Sequence, residues 1–152
     1  MRRRTPGYCA CGSENREQDV KVAELEGALL DSWVARAEGE TLAPAHKCAD
    51  PISGRYWLKM GDYGSVKECP RYSTDWAHGG PIVERHNITL LDPNYCNSGQ
   101  WEAYMGAFPD VRDDRVVGMV AAGAGPTPLI AAMRAYVMSR FGEEVQDIEK
   151  PL

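Results

Sequence analysis

Over residues 22–38 the apolar positions Val22, Leu25, Leu29, Leu30, Trp33, Val34 and Ala37 recur at the spacing of one helix face, and Gly39 stands where a helix end is capped. The pattern predicts a helix over residues 22–38, with Gly27 weakening its interior by roughly 1 kcal/mol relative to alanine. A second helix is predicted over residues 76–86. Ser73 or Thr74 can accept a hydrogen bond from an early helical N–H, Asp75 suits the positive end of the helix dipole, and Gly79-Gly80-Pro81 is expected to bend or interrupt the helix. The final helix has the fullest signature. Thr127 is the N-cap, Pro128 the first helical residue, Leu129, Met133, Tyr136, Val137 and Phe141 the buried stripe, and Gly142 the end.

Strand-like runs lie between these helices. Ile88-Thr89-Leu90-Leu91 and Trp101-Glu102-Ala103-Tyr104-Met105 are separated by turn residues, and residues 116–122 form a third candidate, apolar enough to be central. Residues 40–71 are broken repeatedly by proline and glycine, with residues 55–60 readable as a short strand or hairpin arm. So long an irregular stretch is often a binding loop, so Tyr56 and Trp57 either line a site or seal the core. Residues 1–19 are polar and aperiodic and read as a loosely ordered extension, whose Arg2-Arg3-Arg4 is a solvated tail or an interaction arm. The acidic tail Glu143-Glu144-Val145-Gln146-Asp147 then runs out to Pro151, and one α+β domain is expected over residues 20–148.

Composition narrows the partners. A chain of 152 residues with 43% hydrophobic and 26% charged content is long enough to bury a core, and its net charge of −5 argues against general nucleic-acid binding. A local basic pocket for one small anion remains compatible with that charge. No apolar run approaches the roughly 20 residues of a membrane span, and no hydrophobic segment follows the arginine triplet, so a cytoplasmic protein is expected. The cysteines Cys9, Cys11, Cys48, Cys69 and Cys96 are scattered and odd in number, which predicts free thiols. The alternative is zinc held by Cys9, Cys11, His46, Cys48 and Cys69. Against it, Cys9-Ala10-Cys11 is closer than the usual spacing of structural zinc pairs. No metal and no cofactor are expected.

The segments Leu30-Asp31-Ser32-Trp33-Val34-Ala35-Arg36-Ala37-Glu38-Gly39, Tyr72-Ser73-Thr74-Asp75-Trp76-Ala77-His78-Gly79-Gly80-Pro81-Ile82 and Thr127-Pro128-Leu129-Ile130-Ala131-Ala132-Met133-Arg134 resemble small lambdoid-phage proteins of the NinX type. The Ser-Thr-Asp segment, a strand tryptophan and the last helix are also similar to the phage ABA-sandwich domain. The resemblance covers residues 20–148 and is poorest over residues 40–71; the extension with Cys9 and Cys11 departs from it. It implies an antiparallel, three-stranded or slightly larger sheet with helices packed on it, in an α-β-β-β-α core preceded by one more helix. It also implies a phage accessory product acting in the infected bacterial cell, and carries over no catalytic residue.

Chemistry is sparse. His46, His78 and His86 stand in no metal-binding spacing; His78 and Asp75 can pair as acid and base, or Asp75 simply caps its helix. Gly123-Ala124-Gly125 before a helix is similar to a phosphate loop but lacks its lysine and spacing, and Pro128 removes one backbone donor from that helix start. Aromatic rings at Trp57, Trp76, Trp101 and Tyr104 can stack on a flat base, and Arg71, Arg85, Arg112 or Arg134 can clamp phosphate. The other reading of Arg134 is a salt bridge or snorkelling across the sheet edge. Ser73, Thr74, Asp75, Trp76, Trp101, Tyr104, Thr127 and Arg134 are the ligand-binding candidates.

Three functions compete. The first is a non-enzymatic counter-defence binder, a homo-oligomer that sequesters a nucleotide-type immune messenger. The alternative is a protein–protein inhibitor or adaptor of a host defence or replication protein, whose basic face an acidic surface would suit. The third is a nucleotide-degrading enzyme using Asp75, His78 and Glu84.

Overall fold

The computed structural model of the protein describes residues 19–43, 56–106, 108–110, 115–117 and 119–146. The elements run β1 (Asp19–Lys21), a 3-10 turn (Val22–Glu24), α1 (Gly27–Ala37), β2 (Trp57–Met60), β3 (Ser65–Glu68), α2 (Trp76–Arg85), β4 (Thr89–Leu91) and a second 3-10 turn (Pro93–Tyr95). They continue with β5 (Trp101–Met105), β6 (Phe108–Asp110), β7 (Arg115–Val117), β8 (Ala121–Gly125), α3 (Pro128–Phe141) and β9 (Glu144–Gln146). The fold is α+β. Among the described residues the largest sheet is three-stranded and antiparallel, in the order β4-β5-β8. The succession α2, β4, β5, β8, α3 is the expected α-β-β-β-α core, with α1 ahead of it and the β6–β7 pair inserted.

Helix α3 is the centre of the packing. Thr127 Oγ1 accepts from the Ile130 N–H at 3.2 Å and Pro128 opens the helix, as the sequence predicts. The buried surface is wider than one stripe. Leu129, Met133, Tyr136 and Val137 are buried, and so are Ala131, Ala132 and Ala135, whereas Phe141 at the last turn is exposed. The sheet takes one side of the helix, and α1 and α2 pack on parts it leaves uncovered.

The contact of α3 with β8 is unusually close. A Cβ at Gly123 would lie 2.3 Å from the Ala131 carbonyl oxygen and 2.6 Å from the Ala135 nitrogen, and one at Gly125 would lie 2.8 Å from Ile130. Those separations exclude any side chain, so Gly123-Ala124-Gly125 is a strand pressed against a helix and not a loop. The third strand therefore begins at Ala121, later than the predicted 116–122, and it is an edge strand; β5 is central. Val116 and Val117 belong to β7, paired with β6. Between the two pairings the register slips by one residue. Met105 faces Ala121 while its carbonyl also accepts the Val120 N–H at 2.9 Å, which is a β-bulge.

Other predicted bounds also move. The helix over residues 22–38 is split: the chain is extended at Leu25 and Glu26, and α1 starts at Gly27, whose φ of +57° suits glycine. Gly27 therefore opens the helix and does not weaken its interior. Helix α2 runs uninterrupted through Gly79-Gly80-Pro81. Pro81 can lose only the bond of its own missing N–H. Gly79 is required because a Cβ there would sit 2.3 Å from the Tyr72 carbonyl oxygen and 2.6 Å from Leu129. Asp19, placed in the extension, pairs in β1, and the acidic tail forms its partner β9 (Asp19↔Gln146, Lys21↔Glu144), burying Val145. The remainder of the extension lies outside the described residues. Within residues 40–71, β2 and β3 form the expected hairpin and Tyr56 is buried with the core.

The far ends of the helices are pinned by one polar network. The Tyr136 hydroxyl donates to Glu38 Oε1 at 2.6 Å, Arg85 Nη2 lies 2.6 and 2.7 Å from the two Glu38 oxygens, and the His86 ring packs on Tyr136 with centroids 4.7 Å apart. Burial, then the charges of Arg85 and Arg140, lower the His86 pKa from its ordinary 6.5. Burial opposes ionisation of Glu38, but the Tyr136 and Arg85 bonds win and hold its carboxyl below the usual value.

Two predictions follow from this packing. Gly123→Ala loses about 2–3 kcal/mol in urea unfolding by overpacking, whereas Gly80→Ala, whose Cβ would meet only the Trp76 ring at 3.6 Å, gains roughly 0.5–1 kcal/mol. In the pH dependence, the unfolded chain binds a proton at His86 before the folded one does. Stability present above about pH 6.5 is therefore lost as pH falls through the lowered folded value, and Glu38 adds a further loss at lower pH. His86→Phe, which keeps a ring on Tyr136, flattens the first part of that fall in denaturant titrations at about pH 7 and pH 5.5.

Candidate functional site: a cleft at the free edge of the sheet

Strand alternation decides which candidates can meet. Trp101, Ala103 and Met105 pair with Gly125, Gly123 and Ala121, the residues that face α3, and Trp101 packs half-buried against the core. Glu102 and Tyr104 pair with Ala124 and Ala122 on the opposite face. Trp101 and Tyr104 therefore do not form one stacking platform.

A cleft of about 200 Å³ opens beside β8. Val22 and Ala23 of the 3-10 turn form one wall, with Met138 and Arg134 reaching in from α3; Ala122, Gly123 and Ala124 give the strand side, and Glu102 and Tyr104 stand across the outer face. Of the predicted ligand-binding residues, the cleft unites Tyr104 and Arg134. Glu102, Ala23 and Met138 were not among those predictions. The signal for Glu102 was present, because a residue two positions from Tyr104 in a strand shares its face.

Arg134 is 9% exposed and acts as a strap. Its Nε donates to the Leu25 carbonyl at 2.9 Å and its Nη1 to the Ala124 carbonyl at 2.7 Å, which ties the segment ahead of α1 to the sheet edge. Burial lowers its pKa and the nearby Glu26 opposes that shift. Both partners are backbone carbonyls, not the carboxylate of a salt bridge. Across the cleft the Tyr104 hydroxyl donates a short bond to Glu102 Oε2, and Ser98 Oγ donates to Oε1 at 2.8 Å. These bonds, Tyr104 first, hold the Glu102 carboxyl below its usual value; burial and then the same carboxylate push the Tyr104 phenol up to about 12.

The strand edge carries a second feature. The Ala124 carbonyl points away from β5, onto Arg134. By the alternation of an antiparallel strand, the Ala124 N–H and both backbone groups of Ala122 face the same outer edge. They have no partner among the described residues.

The remaining candidates lie elsewhere. Ser73 is buried, its backbone N–H donates to Asp31 Oδ1 at 2.7 Å, and its hydroxyl has no partner among the described residues. Thr74 is exposed at the turn into α2. Asp75 caps α2 by accepting the Ala77 N–H at 2.9 Å; that bond, with burial opposing and His78 Nδ1 at 3.1 Å assisting, lowers its pKa. Trp76 is half-exposed, Thr127 is the α3 cap, and Arg85 is engaged with Glu38. Cys69 is buried, and burial pushes its thiol up to about 12; Cys9, Cys11, His46, Cys48 and Arg112 lie outside the described residues. No helix among the described residues is long and apolar enough to cross a membrane.

The protein family described as "Bacteriophage P22, NinX" matches residues 21–140, which include α1, α2, the three-stranded sheet and most of α3. No curated protein matches the chain.

Arg134→Met leaves the Leu25 and Ala124 carbonyls without their donor and costs about 2–4 kcal/mol in denaturant unfolding, whereas Thr127→Ala costs about 1 kcal/mol through its lost cap. Equal losses would mean that Arg134 is not the strap.

Proposed function

The chain belongs to the NinX family of bacteriophage P22, and on that footing we propose that it is a phage accessory protein that works by binding a host protein at the β8 cleft, without catalysis. The observation that carries this reading is the cleft itself: an apolar wall of Val22, Ala23 and Met138 opposite an ionised Glu102, beside strand backbone that has no partner among the described residues. Protein interfaces are built from such combinations of apolar contact and polar rim. The described titratable groups in the cleft are set away from proton transfer near neutrality. Glu102 is held ionised, Tyr104 keeps its proton to about 12, and Arg134 is tied to two carbonyls.

The sequestration of a nucleotide-type immune messenger has less support from this cleft. Its volume of about 200 Å³ is below the roughly 300–1,000 Å³ of ordinary small-molecule pockets. The arginine expected to clamp phosphate already donates to two carbonyls and shares the space with the Glu102 carboxylate. An acidic protein partner surface repels phosphate and attracts a basic protein face.

The test uses a photo-crosslinking amino acid at Ala23, which lines the cleft, and at Tyr63, which is fully exposed in the β2–β3 turn. In infected cells the Ala23 position is expected to capture one host polypeptide that Tyr63 does not, and Ala124→Glu is expected to abolish the capture. Native mass spectrometry of the purified protein gives the opposing result. A small mass released intact on denaturation, with no crosslink from Ala23, would overturn host-protein binding and restore the sequestration reading.

A further inference from the structure

The β8 edge has a position without a partner among the described residues and a charge pattern that together specify what sort of segment would pair with it; this rests on the cleft being a protein-binding site. Ala122 presents both its N–H and its carbonyl outward, while at Ala124 the carbonyl is already taken by Arg134. A short extended segment can therefore pair at Ala122 but cannot extend a full ladder past the strap. Backbone pairing of this kind supplies affinity without demanding a side-chain sequence, and the side chains around it select the partner.

The selection is electrostatic. Among the described residues, Glu24, Glu26, Glu143 and Glu144 are exposed on the 3-10 turn, the segment after it and the β1–β9 ribbon, Glu102 lies in the cleft, and the cations beside them are Lys21 and Arg134. The Glu143 carbonyl accepts the Val22 N–H at 2.8 Å, which holds the ribbon to the cleft wall, and the Glu26 charge acts on Arg134, so the carboxylates that bear on the cleft are Glu102 within it and Glu26 beside its arginine. Distance then favours a long basic side chain. Neighbouring strands stand about 4.8 Å apart, so a segment beside β8 lies on the order of 10 Å from β5, where Glu102 stands. The intervening residue is Ala124, paired with Glu102 and too small to block the way.

We infer that the outer edge of β8 at Ala122 receives an extended segment of a partner protein, whose lysine or arginine side chain crosses the outer face of β8 to meet the Glu102 carboxylate where it accepts the Tyr104 hydroxyl. The neighbouring side chain of that segment turns toward Val22 and Met138, where a small apolar group fits.

The experiment follows amide resonances of the labelled full chain with three synthetic peptides: acetyl-Val-Lys-Val-Lys-Val-amide, its glutamate counterpart, and the lysine peptide N-methylated at alternate amides. The lysine peptide is expected to shift the Ala122, Gly123 and Ala124 amides saturably. The glutamate and N-methylated peptides, and the lysine peptide with Glu102→Gln protein, are expected to bind at least about tenfold more weakly. Binding of the lysine and glutamate peptides with equal affinity overturns the basic selection. Equal binding of the N-methylated peptide, or shifts confined to other surfaces, overturns the strand pairing, as does no shift at about 1 mM peptide. Concentration-dependent shifts of the same amides without peptide would identify a second copy as the occupant and also overturn it. If Ala23 still captures a host polypeptide under any of these results, the binding function stands and only this docking mode falls. Loss of both removes the function as well.

Discussion

The contact of α3 with the glycines of β8 is the constraint on which the other features depend. Gly123 brings the helix backbone to distances that no Cβ would tolerate, Gly125 leaves room for the Ile130 side chain, and Ala131 and Ala135 complete the small-residue face. A helix held this near a strand has its next residues level with the strand edge. Arg134 is therefore able to reach around β8 and join the Ala124 and Leu25 carbonyls. With a larger residue at either glycine the helix would have to stand away, and that strap would no longer span both oxygens. The cleft is the space left between the strapped turn and the edge, so its walls derive from the same close approach.

The opposite end of the helix layer is held by different chemistry. Glu38 at the end of α1, Arg85 at the end of α2, and Tyr136 in α3 share hydrogen bonds. Arg85 is half-exposed, so its ion pair with Glu38 adds little stability through solvent screening, and the bidentate geometry serves chiefly to fix orientation. Together the two devices divide the work: apolar burial and the glycine contact hold α3 to the sheet, while the network sets how α1 and α2 lie on it. The cleft is on the sheet edge, away from this network. Residues such as Ala23 and Ala122 can therefore vary without disturbing the core.

The elements with strong local signals were legible in the sequence. Thr127-Pro128 announces α3, the alternation around Glu102 and Tyr104 announces β5, and the resemblance supplied the α-β-β-β-α order that the structure has. Gly123-Ala124-Gly125 was misleading because glycine ordinarily marks a loop, and only the helix opposite explains its place in a strand. Gly27 was misplaced for a related reason: periodicity continues across a break that a positive φ creates. The candidate site was harder to read. Ser73 and Asp75 have the residue types of a ligand site but serve a buried contact and a helix cap, uses that local sequence does not distinguish from binding. Arg134 and Tyr104 do reach one cleft, yet Arg134 owes its position to the sheet edge, a relation between segments far apart in sequence.

An open strand edge is a hazard that proteins normally reduce by covering, charging or twisting it. All of these devices are present on β8. The 3-10 turn and Arg134 cover the edge at Ala124, the Glu102 and Glu26 carboxylates stand beside it, and the bulge at Val120 and Ala121 alters the strand just before it. Among the described residues they leave Ala122 without a backbone partner. The carboxylates also bear on which molecule can use it, because a second copy would bring the same negative rim to the contact and be repelled, whereas a basic segment would be drawn in. The protections against indiscriminate pairing are thus the features that would make pairing selective, and a short basic strand is the occupant they exclude least.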